Sequence, residues 1–356
     1  MVFSSRFRTR ILGGLLVLVA VVAALPAAHA AGARAKSGAA KAQPTYRSII
    51  ATDATSGAVL VEENADEVGA PASMTKLMTY AVLADKLAAG NLSLDTVVKI
   101  DKSDCGMGGT QVYLDPRESF TVEELIYAMM IQSANDAAHA LARVSAGSRD
   151  AFVALMNQKA RELGMTKTTF RSPHGLPPST RRTADGDITT ARDFAVLCRH
   201  LLLHTDVLKY SSVRQRDFGP LRKQGPLQMV NHNKLVGEVD GVDGLKTGFT
   251  KDAGYCLSAT AERNGRRVIV VIMGALGPGG QLDYGRSRDR KTIETLERAF
   301  AALPTEGPTF ASERAKYVKP AVIAIEPGRA APAAGSPSAP AGTPEQPSIT
   351  FPLPRK

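Results

Sequence analysis

Three short stretches of this chain carry residue types that together could run nucleophilic chemistry: Ser73-Met-Thr-Lys76, Ser133-Ala-Asn135 and Lys246-Thr247-Gly248. A serine hydroxyl is a weak nucleophile near neutral pH and needs a base to take its proton. A lysine three residues further along the same helical face can be that base, provided burial or a second positive charge disfavours its ammonium. Lys246 is the natural source of the second charge. Ser133 could relay protons between the two lysines and a leaving amine, and the Asn135 amide could hold Lys76 and donate to a substrate carbonyl. Lys246 with Thr247 could grip an anion, most simply a C-terminal carboxylate, and Gly248 would let a substrate strand lie against a sheet edge. Taken alone, Ser73 reads as a helix N-cap. Each pattern occurs once and in this order, and the three together outweigh that reading.

The elements around these stretches suit the task. Pro71 punctuates the chain, and Leu77, Met78, Ala81, Val82 and Ala88 then recur at helical spacing, so Ser73 opens a helix running to about residue 89. Thr121-Val-Glu-Glu124 is a capping-box pattern, followed by Leu125, Ile126, Met129 and Met130 as a core face; that helix delivers Ser133. Further helical patterns cover 150–164, 189–204 and 286–302. Strand patterns at 48–53 and 58–63 form a hairpin. Residues 241–249, 254–260 and 267–273 are strands, the last two joined by a turn at Asn264-Gly265. Residues 96–100 form a short β-branched run, 105–109 a glycine-rich loop that could border a site, and 173–178 an irregular stretch. Strands at both ends thus bracket a helical middle from about 73 to 235, and one sheet must be assembled from the two ends.

Of the 356 residues 44% are hydrophobic, enough for one large domain or two modest ones. The net charge of +10 suggests nucleic acid or membrane as partner, but its distribution argues otherwise. Residues 47–304 hold 32 basic and 30 acidic side chains, and no basic run there is interleaved with aromatics. Arg6, Arg8 and Arg10, an apolar run over 11–25 and Ala28-His-Ala30 read as a secretory signal over 1–30, with an uncleaved membrane anchor as the alternative, so the chain is expected to be exported, periplasmic or otherwise extracytoplasmic, with membrane association left open. Residues 31–46 read as a flexible lead-in, 47–304 as the catalytic domain, and 305–356, rich in proline and alanine, as a disordered tail. Cys105, Cys198 and Cys256 form no C-x-x-C pair, so no metal is expected; an exported chain could carry one disulfide, and the sequence does not choose the pair. His200 and His204 lack the glutamate of a zinc motif and read as surface or core residues.

S-x-x-K, S-x-N and K-T-G in these contexts are the signature of penicillin-binding proteins and serine β-lactamases. Pro71-Ala-Ser-Met-Thr-Lys-Leu-Met, Ser133-Ala-Asn-Asp-Ala-Ala, Gly244-Leu-Lys-Thr-Gly-Phe-Thr and the strand Gly254-Tyr-Cys-Leu-Ser-Ala-Thr resemble the D-alanyl-D-alanine carboxypeptidases, the low-molecular-mass penicillin-binding proteins of peptidase family S11. The resemblance covers about residues 45–302. It implies an α/β fold of β-lactamase/transpeptidase type, with an antiparallel five-stranded sheet, flanking helices and an inserted helical subdomain. It further implies removal of the terminal D-Ala from peptidoglycan stem peptides through an acyl-serine, without cofactor, and covalent inhibition by β-lactams. Ser73, Lys76 and Ser133 would be catalytic; Asn135, Lys246, Thr247, Gly248 and Phe249 would bind substrate, with the backbone N–H groups of Ser73 and Phe249 as oxyanion donors. Arg286 or Arg288 would add a carboxylate contact. The β-rich second domain and amphipathic C-terminal anchor of many members are not expected here. Three alternatives share the fold or the site. A class A β-lactamase would need a separate glutamate, for which Glu162 is the nearby candidate and reads as a helix surface residue. A DD-endopeptidase would use the same site on cross-links. A non-catalytic penicillin-binding scaffold would not need the intact trio.

Overall fold

The computed structural model describes residues 45–318; the expected signal, most of the lead-in and the tail beyond 318 lie outside them. The first hairpin is β1 (Ser48–Asp53) and β2 (Val59–Glu63). A 3₁₀ turn, Ala72–Thr75, leads into α1 (Lys76–Ala88). Then come β3 (Val97–Lys99), β4 (Ser119–Thr121), α2 (Val122–Tyr127), α3 (Asn135–Ala146), α4 (Arg149–Glu162), α5 (Ala191–His204) and α6 (Val207–Ser211). The chain closes with β5 (Gln215–Phe218), β6 (Leu227–Val230), β7 (Val242–Thr250), β8 (Gly254–Arg263), β9 (Arg266–Ala275), α7 (Arg286–Ala302) and α8 (Phe310–Arg314).

The sheet runs β2-β1-β9-β8-β7, every neighbouring pair antiparallel, so the two chain ends meet at β1 and β9 as expected. The central strand β9 is apolar at successive positions because both faces are covered. Val268, Val270 and Ile272 pack with Leu296 and Ala299 of α7. Ile269, Val271 and Met273 face the larger core with Leu77, Met78, Phe194 and Leu201. β7 is left at the edge, and that edge meets the turn carrying Ser73.

Three local expectations change. The helical middle also holds two ribbons, β3–β4 and β5–β6. The second pair is only four residues long on each strand, with Phe218 and Met229 as its buried anchors, too short for alternation to stand out. Thr121 caps α2 by accepting from Glu124 N at 3.2 Å, but the Glu124 carboxylate does not close the box; it takes Arg216 Nη2 at 2.7 Å and Gly219 N at 3.0 Å. Finally, the folded body does not stop at residue 304. Thr309 caps α8, Phe310 is 4% exposed against the Arg267 guanidinium, and Arg314 donates to Thr205 O at 3.0 Å. Proline density had concealed one buried aromatic. Phe310→Ala should lower the unfolding free energy by about 3 kcal/mol in a urea titration; a residue in a loose tail would change it by less than about 0.5 kcal/mol.

Candidate active site

Ser73 does not cap the helix. It lies inside the 3₁₀ turn, whose N-cap position makes no side-chain hydrogen bond, and α1 begins at Lys76. The tight turn still brings the two side chains together: Lys76 Nζ donates to Ser73 Oγ at 3.0 Å. The same Nζ donates to Asn135 Oδ1 and to the His174 carbonyl, each at 2.7 Å. Lys76 is fully buried. Burial first, then the charge of Lys246, pushes its ammonium well below the usual lysine range, and the carboxylates of Asp187 and Asp136 pull the other way.

Ser133 is delivered by an irregular helix end. After α2 the backbone widens into a π-helical turn, Ala128–Gln132, and Ser133 follows in the left-handed region at φ +64. Few serines adopt that conformation; here it sends the residue into the cavity instead of continuing the helix. Asn135 then opens α3. Its Nδ2 donates to Gly108 O at 2.9 Å and its N–H to Thr110 O at 2.8 Å, so the 105–109 loop does border the site. The amide therefore holds Lys76 as expected, while one of its two N–H donors is already engaged.

Lys246, Thr247 and Gly248 lie on the edge strand β7. Lys246 is 2% exposed, and its Nζ donates to Thr247 O at 3.2 Å. Burial and then Arg288 push its pKa down to about 7. A Cβ on Gly248 would stand 2.4 Å from Pro71 O and 3.2 Å from Met74 N, so only glycine lets β7 lie this close to the Ser73 turn. Gly175 has the same role from the other side, where a Cβ would stand 2.0 Å from Ala72 O at φ +81. Phe249 turns outward and stacks on Tyr255, centroids 4.3 Å apart.

Above these groups opens a cavity of about 550 Å³. Ser73, Ser133, Thr247, Gly248 and Phe249 line it, with Thr110, His232, Lys234, Tyr255, Leu282, Tyr284 and Arg288. All eight residues singled out from the sequence thus lie at this cavity or directly beneath it. Of the two arginines, Arg288 is the one that faces it; Arg286 is exposed and donates to Asp283 O. Glu162 is on the solvent side of α4, 3.7 Å from Lys159 and accepting from Gln158. Sequence reading missed the supports. Asp187, buried, accepts from Thr75 Oγ1, Ser172 N, Ser172 Oγ and Arg171 N and so ties the 171–175 segment to the Ser73 turn. The irregular run around Pro173 and His174-Gly175 was the visible signal. The three cysteines are free thiols, and among the described residues no cluster of metal-ligating side chains occurs.

The family model for D-alanyl-D-alanine carboxypeptidase, peptidase S11, matches residues 35–277. The chain belongs to that family. It is 34% identical over 259 residues to the D-alanyl-D-alanine carboxypeptidase DacF of Bacillus subtilis, covering 73% of this chain and 63% of that protein. With DacC of Escherichia coli it shares 39% over 236 residues, 64% of this chain and 56% of the relative. The chain therefore spans somewhat under two thirds of these relatives' length. Penicillin-binding protein D2 of Listeria monocytogenes, solved with ampicillin bound, superposes with a TM-score of 0.60 at 32% identity, covering 72% of this chain and 98% of that one. No helix among the described residues is long and apolar enough to cross a membrane.

In this S11 chain Gly248→Ala should force β7 away from the Ser73 turn. Labelling by a fluorescent penicillin should then slow by on the order of 100-fold, with the folded fraction followed by circular dichroism. Labelling within a factor of about two of wild type would show that the close approach is dispensable.

Proposed function

We propose that this chain is a serine D-Ala-D-Ala carboxypeptidase acting outside the cytoplasm on peptidoglycan stem peptides, and that β-lactams acylate it. The observation that carries the reading is the Lys76 amine, buried, depressed in pKa and 3.0 Å from Ser73 Oγ. Neutral Lys76 takes the Ser73 proton as Oγ attacks the carbonyl of the penultimate D-Ala. The oxyanion is received by the backbone N–H groups of Ser73 and Phe249, which Gly248 allows to approach one another. The C–N bond breaks as the leaving amine takes a proton from the lysine pair through Ser133. Free D-Ala departs, and water then hydrolyses the acyl-serine. Lys246, Thr247 and Arg288 receive the terminal carboxylate, and the edge of β7 receives the peptide strand. The relatedness to a protein solved with ampicillin bound supports the same serine as the point of β-lactam attachment.

Mass spectrometry after incubation with benzylpenicillin should find one adduct, on Ser73. Ser73→Ala should abolish it and leave the fold intact, since the hydroxyl serves as no cap. An adduct persisting on that variant would overturn the assignment.

The two lysines impose a bell-shaped pH dependence on kcat/KM. Its acid limb is the deprotonation of Lys76. Lys246 is charged below about 7 and neutral above it, so attraction for a substrate carboxylate fades as pH rises through that value. A peptide amidated at its terminus should lack the alkaline limb. Lys246→Gln should cost about 10- to 150-fold in kcat/KM on the acid and much less on the amide. Equal losses on both would make Lys246 only a tuner of Lys76. Faster cleavage of a cross-linked dimer than of the free pentapeptide would move the assignment to endopeptidase.

A further inference from the structure

The β5–β6 hairpin stands outside the cavity, yet its loop carries a side chain committed to the site's supports. Arg222, its side chain only 4% exposed, donates from Nε and Nη2 to the two Glu118 carboxylate oxygens at 2.9 and 3.0 Å. It also donates from Nη1 to Val112 O at 2.8 Å and from Nη2 to Tyr113 O at 2.6 Å. The rings of Phe218 and Phe120 lie 5.4 and 5.9 Å from the guanidinium carbon. A planar fork used in this way fixes the orientation of what it binds, which a lysine cannot do.

The opposite side of the same backbone is held by the start of α3. The Asp136 carboxylate accepts from Val112 N at 3.2 Å and Leu114 N at 3.1 Å. Gly108 O and Thr110 O accept from the Asn135 side chain and backbone. Residues 108–114 are therefore gripped through their N–H groups by Asp136 and through their carbonyls by Arg222. Tyr113 is held between them at φ +57, a conformation a free loop would leave. Asn135, seated on this backbone, holds Lys76 at 2.7 Å.

We propose that Arg222 is a positioning residue for the reaction: through residues 108–114 it sets the Asn135 amide, and through that amide the Lys76 amine. The proposal rests on the reading of Lys76 as base. Without the grip, Lys76 loses the fixed position of one of its three acceptors. An accepting carbonyl favours the ammonium, so loosening it lets the neutral amine form at lower pH. The other groups facing Lys76 stay in place: Lys246 on β7, Asp136 on α3, and Asp187 and His174 on the 171–187 segment.

The test uses the full chain, benzylpenicillin and a pH series, with rates expressed per folded molecule. Arg222→Lys keeps the charge and loses the fork. It should slow acylation of Ser73 by on the order of 100-fold and shift the acid limb to lower pH. Leu221→Ala, at the 96% exposed neighbour, should do neither. Glu118→Gln weakens the same grip with Arg222 intact and is read the same way if Arg222→Lys fails to fold. Acylation within about twofold of wild type, a slower rate with an unshifted acid limb, or a loss accounted for by unfolded protein would each overturn the proposal. Wild type that is not labelled on Ser73 would instead overturn the underlying reading.

Discussion

A buried amine must find acceptors, and the centre of this protein is arranged around the one on Lys76. Three oxygens meet it, from the 3₁₀ turn, from α3 and from the 171–175 segment. Left without them, a buried polar group of this kind would cost several kcal/mol. With them it is held at three points, while burial and Lys246 make the charge that lysine normally carries less favourable. The bonds that stabilise the buried amine are the same ones that hold it beside Ser73 Oγ.

The second constraint is the close approach of β7 to the Ser73 turn. Glycines at 175 and 248 are the only residues that fit where backbone meets backbone on either side of that turn. β7 is also the one strand of the main sheet whose outer edge borders the cavity. An edge with unpaired backbone groups is ordinarily a liability. Under the proposed function it would receive an extended peptide, its carboxylate running toward Lys246, Thr247 and Arg288.

Charge is distributed so that the cavity stays cationic although the folded part is nearly neutral. Lys246 and Arg288 converge from an edge strand and the start of α7; Arg288 makes the charge on Lys246 less favourable, and Lys246 does the same to Lys76. The carboxylates nearest to Lys76, Asp136 and Asp187, spend their oxygens on backbone and hydroxyl donors and make no ion pair with it. They brace the loops that supply its acceptors. A substrate carboxylate would thus meet uncompensated positive charge.

Much of this was readable before folding. Ser73, Lys76, Ser133, Asn135 and Lys246 stood out as candidates because a nucleophile, a base and an anion grip would demand such residue types, and the structure brings them to one cavity or directly beneath it. The strand patterns at both chain ends and the turn at Asn264-Gly265 announced one sheet assembled from the two ends. Residue types and local periodicity, however, carry no distances. The 3₁₀ turn at Ser73, the π-helical turn before Ser133 and the carbonyl of His174 are backbone features, and a backbone oxygen has no letter in the sequence. The short β5–β6 ribbon and α8 each rest on one or two buried side chains, below what periodicity can register. Arg222, Asp136 and Asp187 look in sequence like ordinary surface charges. Only long-range packing buries them, and burial is what turns each from a solvated charge into a fixed support for the lysine at the centre.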